Sequence, residues 1–228
     1  MISVKKGKTK DVYELPDGNY LMKLKDDATG TDGVFDPGAN TVGLQIEGLG
    51  MKSLELTKYY FEKINTAGIF THYISCDLDK AEMTVRPAEF FGEGGLEVIC
   101  RLKAVGSFFR RYGGYIKEGA DLDYLVEFTL KDDERGDPPA SKTTLAALGI
   151  INDGDAEILR ALVKKITKII SEDLKSKSLD LYDIKLEFGK INGEIALIDE
   201  ISVGVMRVYK DGKTVGPTEL NDFIFGRK

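Results

Sequence analysis

Apolar and polar residues alternate along Leu181-Tyr-Asp-Ile-Lys-Leu-Glu-Phe-Gly189. A period of two predicts a strand with Tyr182, Ile184, Leu186 and Phe188 on one face and Asp183, Lys185 and Glu187 on the other. Asn192-Gly193, the strongest two-residue turn signal in the chain, joins it to a second strand that runs into Asp199-Glu-Ile-Ser202. Before this hairpin, Ile158, Leu159, Leu162, Val163, Ile166, Ile169 and Ile170 recur with helical spacing. They predict a helix over about 155–176, capped by Asp153 or Asp155, with Lys164, Lys165 and Lys168 on a solvated face. Residues 53–67 predict a shorter amphipathic helix that Gly68 stops.

The remaining pattern is mostly extended. Lys8–Tyr13 and Tyr20–Lys25 alternate around Pro16-Asp-Gly18 and predict a first hairpin. Met83–Pro87 and Leu96–Lys103 predict further strands, and a helix is expected to begin at Gly106-Ser107, with Ser107 as a candidate N-cap. Residues 26–50, rich in Gly, Asp and Thr, are expected to form a long loop. Glycines thicken between Glu89 and Gly95, where a domain boundary fits. The order strands, helix, strands, helix, hairpin is α+β, not a regular βαβ series. Neither a Rossmann G-x-G-x-x-G nor a Walker G-x-x-x-x-G-K-[ST] is present.

Composition narrows the function. The 228 residues carry a formal net charge of -6, which argues against a general nucleic-acid or anionic-membrane binder. No segment has the length and apolarity of a membrane span or a signal peptide, so a cytoplasmic protein is expected. Cys76 and Cys100 are two, too few for a disulfide framework, and read as small buried residues in a reducing compartment. A single histidine, His72, excludes a His-based zinc site and reads as a structural residue.

The candidate chemistry is that of carboxylates, lysines and arginines. Asp183, Lys185 and Glu187 in one row, beside a second acidic strand, suit a magnesium–phosphate site; they equally suit a solvated face of cross-strand ion pairs. Lys8 and Lys10, two apart, would share a strand face and could reach one polyphosphate. Arg101, followed by Gly106-Ser107 at a helix start, would gather a guanidinium, backbone N–H groups and a hydroxyl into an anion cradle. Lys131-Asp-Asp-Glu-Arg135 reads as a charged turn, and Arg207 alone as a surface pair.

Taken in order, these segments resemble the phosphoribosylaminoimidazole-succinocarboxamide synthase, or SAICAR synthetase, family over roughly residues 4–210. The resemblance rests on Gly7-Lys-Thr-Lys10, Lys25-Asp-Asp-Ala-Thr29, Gln45-Ile-Glu-Gly48, Gly68-Ile-Phe-Thr-His-Tyr-Ile74, Arg101 through Ser107, Val126-Glu-Phe128, Lys131 through Pro138, Asp183 through Gly189, Asp199-Glu-Ile-Ser202 and Arg207. It implies a two-lobed, kinase-like or ATP-grasp-like α+β fold with antiparallel sheets. The expected lobes are 1–86, β-rich and ATP-binding, and 87–228, carrying magnesium and ribotide sites, with ATP in the cleft between them. The implied reaction joins L-aspartate to the carboxylate of carboxyaminoimidazole ribotide, using ATP and Mg²⁺, in purine biosynthesis. By resemblance, Lys8 and Lys10 meet ATP phosphates, the backbone of Arg86 to Glu89 meets adenine, and Glu187 and Asp199 bind Mg²⁺. Arg101, Ser107, Lys185 and Arg207 hold the ribotide, with Asp183 beside its reacting end; Lys185 and Asp183 are the catalytic candidates. The implied partners are small molecules, without nucleic acid or membrane, and a homodimer is left open.

The chain departs from the family pattern at Gly30-Thr31, at Leu49, at Leu102 where Asn is usual, and at Val203-Gly204 where Pro-Asp is usual. Residues 35–43 look inserted. These changes keep two alternatives in view: a paralogous ATP-dependent ligase with another amine or carboxylate, and a nucleotide-binding regulatory domain without catalysis. A two-residue loop at Asn192-Gly193 would pair Glu187 with Ile198 and turn Asp199 to the opposite face. For the two carboxylates to share a metal, we therefore expect a three-residue loop, or a bulge between Ala196 and Asp199.

Overall fold

The computed structural model describes residues 1–39 and 41–227. The chain opens with β1 (Ile2–Lys6), β2 (Lys10–Glu14) and β3 (Tyr20–Leu24), then a trio of short strands, β4 (Asp27–Thr31), β5 (Val34–Phe35) and β6 (Val42–Gln45). Helix α1 (Leu49–Thr66) leads to β7 (Tyr73–Asp77) and β8 (Glu82–Val85). After β9 (Glu89–Phe90) and β10 (Leu96–Lys103) come helix α2 (Gly106–Tyr112), β11 (Asp121–Leu130) and β12 (Pro139–Ala140). Helices α3 (Lys142–Ala147) and α4 (Asp153–Lys175) precede β13 (Asp180–Ile191), β14 (Glu194–Ile198), β15 (Met206–Lys210), β16 (Lys213–Thr214) and helix α5 (Glu219–Phe225).

Two antiparallel sheets dominate. The first has five strands in the order β1-β2-β3-β8-β7. The second has eight strands and is organised around β13, which pairs β10 and β9 on one edge and β15 and β14 on the other. The stretch expected to be a loop, 26–50, instead forms a three-stranded sheet, β5-β4-β6. Asp26 fixes where it gives way to α1: its carboxylate accepts the backbone N–H groups of Gly48 and Gly50, at 3.0 and 2.9 Å. The helix starts there, four residues before the position that apolar spacing indicates, because these bonds satisfy free donors of its first turn.

Alternation in β10, β11 and β13 produces two faces of opposite chemistry. Leu96, Phe188 and Leu130 share one row, Val98, Leu186 and Phe128 the next, and Cys100, Ile184 and Val126 the third. All nine are buried or nearly so, and α4 packs against this face through Leu159, Val163, Ile166 and Ile170. Each such aliphatic side chain contributes about 1.5–3 kcal/mol when removed from water. Ile158, expected on this stripe, is 49% exposed. Asn152, not Asp153 or Asp155, caps α4: its side chain accepts the N–H of Asp155 at 2.8 Å. Tyr182 also differs from expectation. A bulge between Leu181 and Asp183 puts Leu181 in the core and leaves Tyr182 half-buried, stacked on Tyr209 with ring centroids 3.7 Å apart.

Cys100 lies in the core, where burial pushes its thiol up to about 11, whereas Cys76 is only half-buried on the edge strand β7; both are free. The lysines on α4 are exposed, as expected of a solvated face.

Candidate active site

The opposite face of the large sheet carries the charges. One row reads Glu187, Glu97, Thr129, the next Lys185, Ile99, Glu127, and the third Asp183, Arg101, Leu125. This face looks into a cleft of about 390 Å³ whose other wall is the five-stranded sheet. Val12, Met22, Leu24 and Val85 give it an apolar end on that wall, and Ile198 and Val203 face them from the large sheet's side. Lys8, Lys10, Lys131, Lys185, Glu187, Asp199 and Glu200 line its polar end.

The hairpin that delivers Asp199 does not have the odd register. Ile191 pairs with Glu194 and Glu187 with Ile198, so the loop is a regular two-residue turn, with Asn192 and Gly193 at φ 53° and 83°. The carboxylates nevertheless converge. Strand β14 ends at Ile198, and Asp199 takes a left-handed conformation, φ 68°, where the chain leaves the edge of β13. A single residue in that region redirects the chain, so the face that strict alternation assigns to Asp199 no longer applies.

Lys10 lies between acidic groups, 2.5 Å from Asp199 and in direct contact with Glu200, while Lys131 pairs with Glu187. Burial alone would raise Asp199, but Lys10 and Lys131 outweigh it and hold the carboxyl well below the usual range. Glu187 goes the other way: burial and the charge of Asp199 push it up to about 7 against the pull of Lys131 and Lys10. Burial opposes the charge on Lys10, but Asp199 and Glu200 prevail and its pKa is raised. Neighbouring carboxylates driven apart in this way mark a site built around charge that a ligand would share.

Among the described residues no three His, Cys, Asp or Glu side chains form a metal cage. Two oxygen-donating carboxylates beside lysines fit Mg²⁺, which keeps several waters and completes its shell with substrate phosphates. Lys8 is not on a strand with Lys10. It sits in the β1–β2 loop and pairs with Asp133 at 2.7 Å, so each lysine approaches the cleft from its own backbone setting. Arg86 and Ala88 line the apolar end, whereas Glu89 is tied into the β9–β13 ladder opposite Lys190 and does not line the cleft.

A second cavity of about 250 Å³ adjoins the first and contains Arg101, Ser107, Arg110, Arg111, Asp183 and Arg207. Arg101 is 1% exposed and each of its nitrogens donates once: to Glu127, to Asp183 at 2.8 Å and to the Ser107 hydroxyl at 2.9 Å. Ser107 is therefore not the N-cap of α2; Val105 holds that place and no side chain caps the helix. Asp183 also accepts from Arg207 at 2.9 Å, so one buried carboxylate holds two guanidiniums side by side. Burial raises the Asp183 pKa, with the two arginines opposing. Arg207 passes between two glycines: a Cβ on Gly38 would lie 2.4 Å from its Nη2, and one on Gly106, at φ 56°, 2.7 Å from its Cζ. Neither position could carry a side chain without displacing the guanidinium.

Sequence reasoning missed Lys131, Glu97, Glu200, Asp36 and Arg110. Lys131 continues the Glu127, Thr129 phase of β11 and was hidden by reading 131–135 as a turn. Glu97 stands out as the one acid in the apolar run 96–100; it is buried and accepts from Thr129 and Lys185, each at 2.7 Å. Asp36 reaches Arg207 at 2.9 Å from a segment with no sequence signal for that contact.

Fold and site together define an α+β protein with a charged cleft between two antiparallel sheets and a cationic pocket beside it. Residues 3–221 match the SAICAR synthetase family. The chain is 57% identical over 223 residues to a phosphoribosylaminoimidazole-succinocarboxamide synthase of Clostridium tetani, covering 97% of this chain and 98% of that one. A SAICAR synthetase solved in complex with ADP is similar at TM-score 0.86 and 28% identity, covering 99% of this chain and 98% of the other. A phosphoribosylaminoimidazole-succinocarboxamide synthase from Ehrlichia chaffeensis is similar at TM-score 0.83 and 25% identity, covering 99% of this chain and 94% of the other. The chain belongs to the SAICAR synthetase family.

Proposed function

We infer that this protein is the ATP-dependent ligase that joins L-aspartate to the carboxylate of carboxyaminoimidazole ribotide, in purine biosynthesis. Identity of 57% over nearly the whole length does not favour the paralogous ligase or the non-catalytic domain. The geometric observation that carries the reading is the shared wall: Glu97 and Lys185 line both cavities. A phosphoryl donor in one and a carboxylate acceptor in the other would meet at Lys185.

A carboxylate does not react with an amine at neutral pH, because its oxygen is a poor leaving group. The ribotide carboxylate oxygen attacks the terminal phosphorus of ATP, the bond to ADP breaks, and an acyl phosphate forms. The aspartate amine then attacks the acyl carbon to form the C–N bond, the acyl C–O bond breaks with its electron pair leaving on phosphate, and the nitrogen loses a proton. The phosphoryl step needs positioning and charge neutralisation rather than covalent help.

In this reading the base of ATP occupies the apolar end beside Arg86, and Lys8, Lys10 and Lys131 hold its phosphates. Glu187 and Asp199 would hold Mg²⁺, which when bound would neutralise phosphate charge. Lys185, oriented by Glu97, steadies the phosphoryl group in transfer. Arg207, Ser107 and the buried Arg101 hold the ribotide, with Asp183 fixing both guanidiniums. Residues 1–86 and 87–228 then act as two lobes around the nucleotide. No helix among the described residues is long and apolar enough to cross a membrane, and two free thiols suit a reducing compartment such as the cytoplasm.

The test is purified protein with ATP, Mg²⁺, the carboxylated ribotide and a panel of amino acids, scored for product mass and ADP. Product with aspartate alone is the expected result. ADP release with another amine, or none with any, would overturn the reading.

A further inference from the structure

The left-handed turn at Asp199, one of several Asp and Asn residues of this chain with positive φ, leaves the ladder with a carbonyl that needs a donor. Such a conformation costs an L-residue about 1 kcal/mol, and the β13–β14 ladder that could hold it has already ended at Ile198. The next partner comes from the segment before β7, which runs beside β14 and bridges it at Thr71 and Leu197. His72 Nε2 lies 2.9 Å from the carbonyl oxygen of Asp199. A carbonyl only accepts, so Nε2 carries the proton and donates.

His72 is itself held on three sides. Its backbone N–H donates to Leu197 O at 3.0 Å, and its carbonyl accepts from the Arg86 N–H at 2.8 Å. Its ring stands edge-on to Phe61, with centroids 5.6 Å apart. The residue is 4% exposed, yet its ring borders the cleft. A side chain fixed in this way serves as a rigid peg for the carbonyl it meets, and through that carbonyl for the direction of the carboxylate.

We propose that His72 is a positioning residue: its Nε2–H bond to the Asp199 carbonyl holds the turn that aims the Asp199 carboxylate into the cleft. This rests on the reading of Asp199 as a magnesium ligand. His72 touches no substrate and transfers no proton. Removing its donor lets Asp199 relax toward extended backbone, which swings the carboxylate away from Lys10 and Glu187.

The test measures ADP affinity calorimetrically with and without Mg²⁺, a readout independent of turnover, in wild type, His72→Leu, His72→Gln and Asp199→Ala. Leucine fills the site without a donor; the glutamine amide offers an N–H at similar reach. His72→Leu should lose about tenfold of the magnesium-dependent gain in ADP affinity, the effect of one hydrogen bond. His72→Gln should restore most of it. A folded His72→Leu with the full gain, or a folded His72→Gln as impaired as His72→Leu, overturns the proposal. If Asp199→Ala keeps the full gain, the metal reading itself falls and the proposal with it. One measurement needs no variant: the chain has a single histidine, so a long-range ¹H–¹⁵N spectrum of wild type shows one imidazole. It should be the Nε2–H tautomer, and an Nδ1–H tautomer overturns the proposal.

Discussion

Two clusters in this molecule bring carboxylates and lysines together and differ in their balance and in what surrounds them. At the α1–α4 contact, the single carboxylate of Asp173 accepts from Tyr59 at 2.8 Å, Lys63 at 2.6 Å and Lys177 at 3.0 Å. Burial would raise its pKa, but these donors lower it, and neither cavity described above includes any of the four. In the cleft, Glu187, Asp199 and Glu200 surround Lys10 and Lys131 beside open volume, with Glu187 pushed up to about 7 and Asp199 pulled far down. The first cluster is complete and joins two helices. The second has more acid than base and room for a ligand, so its charges are arranged for a guest and not for each other. A count of ion pairs would rank them together; completeness and adjoining space separate them.

The comparison breaks most sharply in Glu187→Ala. Turnover should fall by roughly a thousandfold or more, as expected when a preorganised electrostatic group is removed. The melting temperature should barely move, because a carboxylate crowded against Asp199 adds little stability. ADP-release kinetics and thermal melts check this; a large drop in melting temperature with turnover kept would place Glu187 with the structural cluster. Arg207→Ala should raise the KM for the ribotide about tenfold to hundredfold and leave the KM for ATP nearly unchanged. Equal rises in both would remove Arg207 from the ribotide pocket.

Asp173→Asn should do the converse of Glu187→Ala. It should cost about 2 kcal/mol of stability in denaturant titration, with kcat and both KM values of the folded enzyme unchanged. Its pH dependence has a definite sign. The folded-state pKa of Asp173 is lowered, so its contribution is fully present above the unfolded value and is lost as pH falls through the folded one. Wild type should therefore lose more stability than Asp173→Asn between neutral and acidic pH, and parallel curves would contradict the assignment. The smallest effect is expected at Lys168, whose pair with Glu172 is long, 3.8 Å, and exposed. Lys168→Ala should change stability by no more than about 0.5 kcal/mol and leave turnover alone.

Much of this was legible in the chain. Alternation in 181–189 identified the two faces of the central strand of the large sheet, and 96–103 was legible as a strand, because side chains on a strand leave only two directions to choose from. The same alternation marked Asp183, Lys185 and Glu187 as one charged row, whereas Arg101 was legible only as part of an anion cradle with Gly106-Ser107, and the spacing in α4 marked its packing stripe. Asn192-Gly193 gave the hairpin its turn, and the turn rule was right where the expectation drawn from a shared metal site was not. Local rules succeed at such places because the covalent geometry of a few consecutive residues decides them.

The rest depended on residues far apart in sequence. Asp199 joins Glu187 through a left-handed residue bonded to His72, 127 positions away. Lys131 reaches Glu187, 56 positions on, and Asp36 reaches Arg207, 171 positions on. No periodicity encodes these contacts. Nor could composition show that the Asp173 cluster is closed and the Lys10 cluster open, since both draw on carboxylates and lysines and differ in what lies beside them. The sequence determined the strands, their faces and the supply of charged groups. Tertiary structure alone decided which charges meet, because that depends on how the two sheets pack and on the space left between them.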